Sequence, residues 1–335
     1  MHFINPIFSS HTKLALKKGL SPESEIYFWG RKSFPEIEEF ATQNNIKIFR
    51  VEDGFIRSIG LGSDLTQPYS QVIDKRGIYF DPTQESDLEH YLNFYDFSKD
   101  SKLLDRSKIL QEQIVKNKIS KYNADVTKEL HFPKTKTTAV VIGQVEDDAS
   151  IRFGANGMTN LQLLKEVRKN HPDDYLIFKP HPDVLSGNRV GNVSEQRALQ
   201  YCDEVITEVS ISDVLNAVDE LHTMTSLTGF EALLYGKKVY TYGMPFYAGW
   251  GLTSDLKECK RRKRKIRLEE LIAATYLLYP RYISPKTKKR CEAERVISEL
   301  KEQKEMLESS FLLRSKSKVY SYFSRISQKF LSLVG

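Results

Sequence analysis

Short apolar runs alternate along this chain with longer segments in which apolar residues recur at helical spacing. Strands are predicted at seven apolar runs: Ile26–Trp29, Ile46–Val51, Val72–Ile73, Ala139–Ile142, Leu176–Phe178, Glu220–His222 and Val239–Tyr242. Helices are predicted at seven periodic segments: Pro35–Thr42, Glu85–Asn93, Lys102–Lys118, Asn160–Asn170, Ile211–Ala217, Gly229–Tyr235 and Leu268–Leu278. Such alternation is typical of an α/β fold with a mostly parallel sheet covered by helices. Because ligands of these folds bind at the carboxyl ends of strands, polar clusters just after a strand are the candidate site residues.

A polar, lysine-rich segment at 119–138 separates two such regions. It contains a proline and is followed directly by the apolar run Ala139–Ile142. We therefore predict an N-terminal domain at 1–130 and a C-terminal domain at 131–290, both Rossmann-like. Residues 291–335 are predicted to form a helical, basic tail, because a long charged helical pattern precedes a basic segment there.

Composition agrees with two globular domains and adds a clue about partners. The chain has 335 residues, 40% of them hydrophobic, with 17 Tyr and 18 Phe, which argues against general disorder. The net charge of +6 suits an acidic substrate, a phospholipid surface or nucleic acid. Two segments carry this excess: KRRKRKIR at 260–267, and residues 314–329, which hold five basic residues and no acid. A membrane surface, nucleic acid and a solvated loop all remain open for 260–267.

Cysteine usage and the absence of a membrane signature indicate a cytoplasmic protein. Cys202, Cys259 and Cys291 are odd in number, far apart and not at metal-binding spacing, as expected for reduced thiols. The first residues lack the pattern of a secretory signal, and no apolar run approaches the ~20 residues needed to span a bilayer. A peripheral position at the inner membrane stays an open alternative.

Two acidic clusters follow candidate strands. RVEDGFIR at 50–57 places Glu52 where a general acid/base would act and Arg57 where an anion would bind, although surface ion pairs in a turn are the plain alternative. GQVEDDASIR at 143–152 crowds three carboxylates, which repel one another unless a cation or a catalytic role compensates. One Asp there is a candidate nucleophile, and acids at a helix N-terminus are the alternative.

Two further clusters are candidates for binding a phosphate. In FKPHPD at 178–183, prolines flank His181 and restrict the backbone, which suits a histidine and Lys179 that meet a phosphate leaving group. In TMTSLTGFEA at 223–232, hydroxyls and amides at a helix start could bind phosphate, and Glu231 a ribose diol. Ordinary helix capping explains the same hydroxyls.

The last candidate cluster is aromatic, and several familiar motifs are missing. YGMPFYAGWG at 242–251 interleaves glycines with aromatics, which suits either a flexible wall over a sugar or a buried aromatic loop. The sequence holds no D-x-D triplet, dinucleotide fingerprint, P-loop or zinc spacing. No cofactor and no metal are therefore expected at the site.

Taken together, these segments resemble the β-Kdo transferase modules of bacterial capsule synthesis, the KpsC type. The resemblance is carried by eight motifs in order, covering about residues 29–285: WGRK at 29–32, RVEDGFIRSIGLG at 50–62, GIYFDP at 77–82, GQVEDDASI at 143–151, FKPHPDV at 178–184, HTMTSLTGFEALLYGKKV at 222–239, YGMPFYAGWGLT at 242–253 and LYPRYISP at 278–285. It implies a GT-B-like α/β fold, with two Rossmann-like domains facing a central cleft. The N-terminal domain would take the acceptor and the C-terminal domain the nucleotide sugar.

The resemblance also implies an activity and roles for individual residues. Enzymes of this kind transfer Kdo from CMP-Kdo with retention to a Kdo-terminated or lipid-linked glycan. The implied catalytic residues are Asp148 as nucleophile, Glu52 as acid/base and His181 at the leaving phosphate. The implied substrate and nucleotide contacts are Gln144, Arg57, Arg152, Lys179, Pro182, Ser226, Thr228 and Glu231. Asp148 is preferred over Asp147 only by analogy.

Two other classes of function remain as alternatives. The first is a non-catalytic module that binds an anionic glycan or lipid. The second is a nucleic-acid-binding protein that uses residues 260–267, but no recognised nucleic-acid motif accompanies that run. Acidic residues at strand ends argue against a nucleic-acid groove. Family members often carry two such modules in tandem, whereas this chain has one.

Overall fold

The computed structural model describes residues 23–58, 67–121, 129–185, 187 and 189–309. Two β-sheets form its framework. The strands of the first sheet are β1 (Glu25–Trp29), β2 (Lys47–Asp53), β3 (Ser70–Asp74), β10 (Pro280–Ile283) and β11 (Arg290–Cys291). Those of the second are β4 (Thr138–Ile142), β5 (Tyr175–Lys179), β6 (Glu204–Val205), β7 (Glu220–Thr223), β8 (Lys238–Thr241) and β9 (Ser254–Asp255).

Helices cover both sheets, and each of the seven predicted strands and seven predicted helices lies on an observed element. The helices are α1 (Pro35–Gln43), α2 (Asp87–Phe94), α3 (Ser101–Lys116), α4 (Ala149–Gly154), α5 (Asn160–Asn170), α6 (Pro182–Leu185), α7 (Glu195–Ala198), α8 (Ile211–Ala217), α9 (Leu227–Leu234), α10 (Leu268–Ile272) and α11 (Ala293–Ser309). A 3₁₀ turn spans Phe97–Lys99, and a π-helical segment, Ala273–Leu278, continues α10. No helix among the described residues is long and apolar enough to cross a membrane.

The second sheet is parallel throughout and has the strand order of a doubly wound nucleotide-binding fold. Its order is β6-β5-β4-β7-β8-β9, so the chain first winds outward from β4 and then reverses from β7. Val140 pairs with Ile177 on one side and with Leu221 on the other. In such sheets the ligand crevice opens at this reversal, outside the carboxyl ends of the central strands.

The first sheet is mixed, and it corrects the predicted domain limits. β1 and β2 are parallel, whereas β3, β10 and β11 each pair antiparallel with the strand before them in the sheet. Pro280 lies opposite Val72, so the chain returns to the N-terminal half before residue 290. The predicted C-terminal domain at 131–290 therefore extends too far. The long-range pairing that brings β10 back leaves no local pattern in the sequence. Of the predicted tail at 291–335, α11 is observed, and residues 310–335 lie outside the described part of the chain.

An aromatic cluster joins the two halves at the base of the cleft. The Phe55 ring, which follows β2, lies 4.7 Å from Tyr79 and 5.0 Å from Phe246 between ring centroids. Phe230 on α9 continues the cluster at 5.4 Å from Phe246. Trp250, in the same loop as Phe246, is completely buried. The glycine-aromatic loop at 242–251 is thus largely part of the core, which is the second of the two alternatives that the sequence left open.

Two arginines of the basic run at 260–267 are bound within the protein. Arg262 is buried, its Nε donates to Glu89 on α2 at 3.2 Å, and Nη1 donates to the carbonyl oxygens of Pro245 and Ala248. Arg261 also pairs with Glu89, at 2.7 Å. The run therefore joins α2 to the loop of the second half through Arg261 and Arg262, whereas Lys260, Lys263, Lys265 and Arg267 are exposed. A membrane surface, nucleic acid and a solvated loop all remain open for these four exposed cations.

We expect Glu89→Ala to lower the free energy of unfolding by about 3 kcal/mol, because it leaves the buried Arg262 guanidinium without its carboxylate. Glu269→Ala is the control, since Glu269 pairs with Arg267, which is more than half exposed, and should cost no more than about 1 kcal/mol. Urea unfolding of the three proteins measures both values. Equal losses in the two variants would contradict a special role for the buried pair.

Candidate active site

The predicted nucleophile Asp148 lies at the carboxyl edge of the second sheet, at the start of α4. Its Oδ1 accepts hydrogen bonds from the amide of Ser150 at 2.8 Å and from the Ser150 hydroxyl at 2.7 Å, so it caps the helix. The side chain is exposed. The neighbouring Asp147 instead pairs with Arg189, at 3.0 Å. The geometry thus distinguishes the two acids, which the residue pattern alone did not.

Glu52, the predicted acid/base, ends β2 on the opposite side of the cleft. Its Oε1 accepts the amide of Asp53 at 3.0 Å, and its Oε2 lies against Gly30. A Cβ at residue 30 would approach that oxygen to 3.1 Å, and φ there is +53°, so glycine suits this position. Burial raises the pKa of Glu52 to about 7, and the nearby charges of Asp53 and Asp148 act in the same direction. The carboxyl can therefore exchange a proton near neutral pH.

His181 sits between β5 and the short helix α6, which begins with Pro182. Its Nδ1 accepts the amide hydrogen of Asp183 at 3.2 Å, so Nε2 carries the proton of the neutral ring. Burial lowers the pKa of His181, although Asp183 and Asp148 act against that shift. A neutral ring with Nε2–H is suited to donate a hydrogen bond to an anionic oxygen in the cleft.

The three predicted catalytic residues come together, and two cations join them. Asp148 influences the pKa of both Glu52 and His181, which places all three side chains in one electrostatic neighbourhood. Lys121 lowers the pKa of Glu52 and of His181, and Arg189 lowers that of His181, whereas Asp148 raises both. Sequence reasoning missed these two cations. Lys121 falls in the segment interpreted as a linker, and no local pattern distinguishes it from the other lysines there.

Gln144 has a structural role that its prediction as a substrate contact did not include. Its Oε1 accepts from the Thr225 amide at 2.9 Å, the Ser226 amide at 3.1 Å and the Thr223 hydroxyl at 3.1 Å. Its Nε2 donates to the Thr225 hydroxyl at 3.0 Å. A single carboxamide thus connects β4 to the residues that enter α9, at the point where the strand order reverses.

The start of α9 is capped from within the chain. The Ser226 hydroxyl accepts the Thr228 amide at 3.2 Å and lies 3.1 Å from the Thr228 hydroxyl. Gly229 is required because the Tyr247 hydroxyl would lie 2.1 Å from a Cβ at that position. Glu231 is buried, and its Oε1 accepts the amide of Lys121 at 3.0 Å. Capping and packing therefore account for these groups, and their contact with a nucleotide stays a prediction.

Two predicted anion ligands are engaged elsewhere. Arg57 is buried and donates through Nε to Asp53 at 2.5 Å and through Nη1 to the Ser58 hydroxyl at 3.0 Å. Lys179 is also buried, and its Nζ donates to the carbonyl oxygen of Val209 at 2.7 Å. Arg57 and Lys179 were predicted to bind the Kdo carboxylate and the phosphate. In the structure each of them donates hydrogen bonds to acceptors of the protein itself.

Arg152 keeps the position expected of an anion ligand. It is exposed on α4, and its guanidinium lies 4.6 Å from the centroid of the Phe153 ring. Arg31, from the other half, lies 5.1 Å from the same ring and pairs with Asp81 at 2.8 Å. No ion pair with an acid is observed for Arg152 among the described residues. Binding of a carboxylate by Arg152 stays a prediction.

This geometry can be compared with known proteins. The family described as "Capsule polysaccharide biosynthesis protein" matches residues 24–282. The chain belongs to this family. Capsule polysaccharide modification protein LipA of Neisseria meningitidis serogroup A is 48% identical over 300 residues, which are 89% of this chain and 42% of LipA. Lipopolysaccharide-processing protein LpsZ of Rhizobium meliloti is 39% identical over 276 residues, which are 82% of this chain and 63% of LpsZ. The chain thus spans less than two thirds of either relative.

Two solved structures of Thermosulfurimonas dismutans KpsC share the family fold. The one titled beta Kdo 2,4 transferase has a TM-score of 0.76 and 37% identity, covering 84% of this chain and 88% of that one. The one titled beta Kdo 2,7 transferase has a TM-score of 0.71 and 38% identity, covering 89% and 91%. The predicted GT-B-like α/β fold and the resemblance to capsule Kdo transferases are confirmed.

We expect Gln144→Ala to destabilise the protein by about 2–3 kcal/mol, since three donors at the start of α9 lose their shared acceptor. Gln43→Ala, at an exposed glutamine that bonds only within its own helix, should change stability by less than about 0.5 kcal/mol. Urea unfolding followed by circular dichroism measures both. A loss below about 1 kcal/mol for Gln144→Ala would contradict this role.

The raised pKa of Glu52 should appear in the pH dependence of stability. Because its native pKa is about 7 and its ordinary value 4.5, the unfolded chain ionises first, and stability falls between these pH values. We expect the difference in unfolding free energy between wild type and Glu52→Gln to fall by on the order of 3 kcal/mol from about pH 4 to pH 8. Glu112→Gln, on the exposed face of α3, is the control and should show no such trend.

Proposed function

We propose that this protein is a retaining β-Kdo glycosyltransferase that uses CMP-Kdo as donor. The observation that carries the proposal is that Asp148, from one half, lies close enough to Glu52, from the other half, for its charge to raise the pKa of Glu52, in a family whose solved structures are titled Kdo transferases. Retention of configuration needs two displacements, and hence a nucleophile on one face of the sugar and a base for the acceptor. The acceptor would be a Kdo-terminated or lipid-linked glycan of the capsule.

In the first displacement, an oxygen of Asp148 forms a bond to the anomeric carbon of Kdo as the bond from that carbon to the CMP phosphate oxygen breaks. Asp148 Oδ1 is held by Ser150, which fixes the carboxylate at the start of α4. The electron pair leaves with CMP as a phosphate monoester. His181 Nε2–H, Arg189 and Lys121 supply the positive potential and the donor that stabilise this charge.

In the second displacement, an acceptor hydroxyl attacks the anomeric carbon and the bond to Asp148 breaks. The hydroxyl proton passes to Glu52, whose pKa of about 7 allows it to accept a proton at neutral pH and to release it afterwards. Arg152, on the same helix that Asp148 caps, is placed to bind the Kdo carboxylate. The donor and the acceptor therefore meet where the two halves face each other.

The proposal is tested by intact mass after incubation with CMP-Kdo. Asp148→Asn is preferable to alanine, because asparagine preserves the helix cap while it removes the nucleophilic carboxylate. Asp147→Asn is the matched control, since Asp147 is the adjacent acid and pairs with Arg189. We expect wild type and Asp147→Asn to gain the mass of one Kdo residue, and Asp148→Asn to gain none and to lose at least about 10³-fold in transfer rate.

Each contrary result would contradict a different part of the proposal. A mass gain that persists in Asp148→Asn and disappears in Asp147→Asn would assign the nucleophile to Asp147. CMP release with acceptor but no adduct in any protein would reject the double displacement. No release of CMP and no CMP binding would overturn the transferase and favour a non-catalytic module that binds an anionic glycan or lipid.

A further inference from the structure

A second cluster of metal-ligand side chains lies at the edge of the second sheet opposite Asp148. His171 follows α5, while Glu220 and His222 lie on β7, and one ligand atom of each is within 4.8 Å of the others. His171 belongs to the turn that leads into β5 at Tyr175, so it lies at the amino-terminal edge of this parallel sheet. Glu220 begins β7 at the same edge. The cluster is thus separate from the candidate active site.

Two buried atoms in this cluster have no hydrogen-bond partner among the described residues. His222 is completely buried, and both its Nε2 and Glu220 Oε2 lack a partner. These two atoms lie 3.9 Å apart, which is too long for a hydrogen bond between them. Buried polar atoms are nearly always satisfied in native proteins, so this pair requires an explanation. A cation between the two atoms would satisfy both.

His171 is oriented as a metal-ligating histidine usually is. Its Nδ1 lies 3.0 Å from Oδ2 of Asp174. Because a carboxylate only accepts hydrogen bonds, Nδ1 carries a proton and Nε2 keeps the lone pair of the neutral ring. A carboxylate that holds the far nitrogen of a histidine is the common outer partner of a zinc ligand. The structure therefore directs the free lone pair of His171 away from Asp174.

The side chains of His222 and Glu220 are also held by the protein, each through the atom that would not bind the metal ion. His222 Nδ1 lies 3.3 Å from the Tyr242 hydroxyl, and Glu220 Oε1 accepts from Lys238 Nζ at 2.9 Å. Tyr242 is itself buried. Each of the three candidate ligands thus has one atom held by the protein and a second atom that can bind a metal ion. Exposed acidic clusters lack such an outer layer.

We propose that His171 Nε2, His222 Nε2 and Glu220 Oε2 bind one divalent transition-metal ion of the zinc class. Two imidazoles and a carboxylate are a usual donor set for Zn²⁺, with a water as fourth ligand. Ligands about 2.1 Å from a tetrahedral ion lie about 3.4 Å apart, so closing from the present 3.9 Å between His222 and Glu220 needs only a small shift. The ion would fasten the α5–β5 turn to β7 and would take no part in sugar transfer.

The acids of the cluster match the charge of such an ion. The carboxylates of Glu220 and Asp174 supply the negative charge that a dication needs.

The test is a zinc titration of the whole chain after treatment with EDTA. Bound metal is measured by inductively coupled plasma mass spectrometry after gel filtration, and thermal unfolding is followed with and without ZnCl₂. We expect wild type to bind one zinc ion and to gain roughly 3–6 °C in Tm when zinc is in large excess over its Kd. His171→Gln should bind at least about 100-fold more weakly, and its Tm should not respond to zinc.

Two further variants keep the result decisive. Asp174→Asn retains an oxygen acceptor for His171 and alters no ligand, so it should fold and lose about 10–100-fold in zinc affinity. His131→Gln removes an exposed histidine and should bind as wild type does. Failure of wild type to bind zinc would overturn the proposal. Equal binding by wild type, His171→Gln and Asp174→Asn would also overturn it, by showing zinc on surface groups.

Discussion

The buried pair of Glu89 and Arg262 is the constraint on which the arrangement of the two halves depends. Removing a guanidinium and a carboxylate from water is costly unless their remaining hydrogen-bonding groups are satisfied. Here Arg262 also donates to the carbonyl oxygens of Pro245 and Ala248, so it links α2 of the first half to the core loop of the second. The chain is thereby fixed where it crosses back, and β10 can complete the first sheet.

The chemistry proposed for the cleft follows from charges that this arrangement brings together. Glu52 and Asp148 lie far apart in sequence, and each alone would be an ordinary carboxylate at the end of a strand. In the cleft, burial raises the pKa of Glu52 to about 7, while Lys121 and Arg189 add positive potential beside His181. A phosphate leaving group and a sugar acid are both anions, so a site with a proton-exchanging acid among cations suits them.

Polar clusters that follow strands divide into two classes in this protein. Gln144, Arg57 and Lys179 all lie at the ends of strands or in the next turn, yet their contacts satisfy amides, carboxylates and carbonyls of the fold. Asp148 and Arg152, at the start of α4 and inside it, are exposed. A single sequence does not separate these classes, because a buried hydrogen-bonding residue and a ligand-binding residue have the same chemistry. The residue that each side chain contacts decides its role, and that residue lies far away in the sequence.

The sequence by itself determined the helices and strands, the presence of a parallel sheet and the family relationship to capsule Kdo transferases. Apolar periodicity is a local property, and motifs such as GQVEDDASI and FKPHPDV carry the candidate nucleophile and the candidate histidine within short contiguous segments. Only the tertiary structure decided the return of β10 to the first sheet, the commitment of Arg262 to Glu89 and the place of Lys121 beside Glu52. The physical reason is the same in each case. Burial and partner choice set the charge and the role of a side chain, and both are properties of distant residues brought together by the fold.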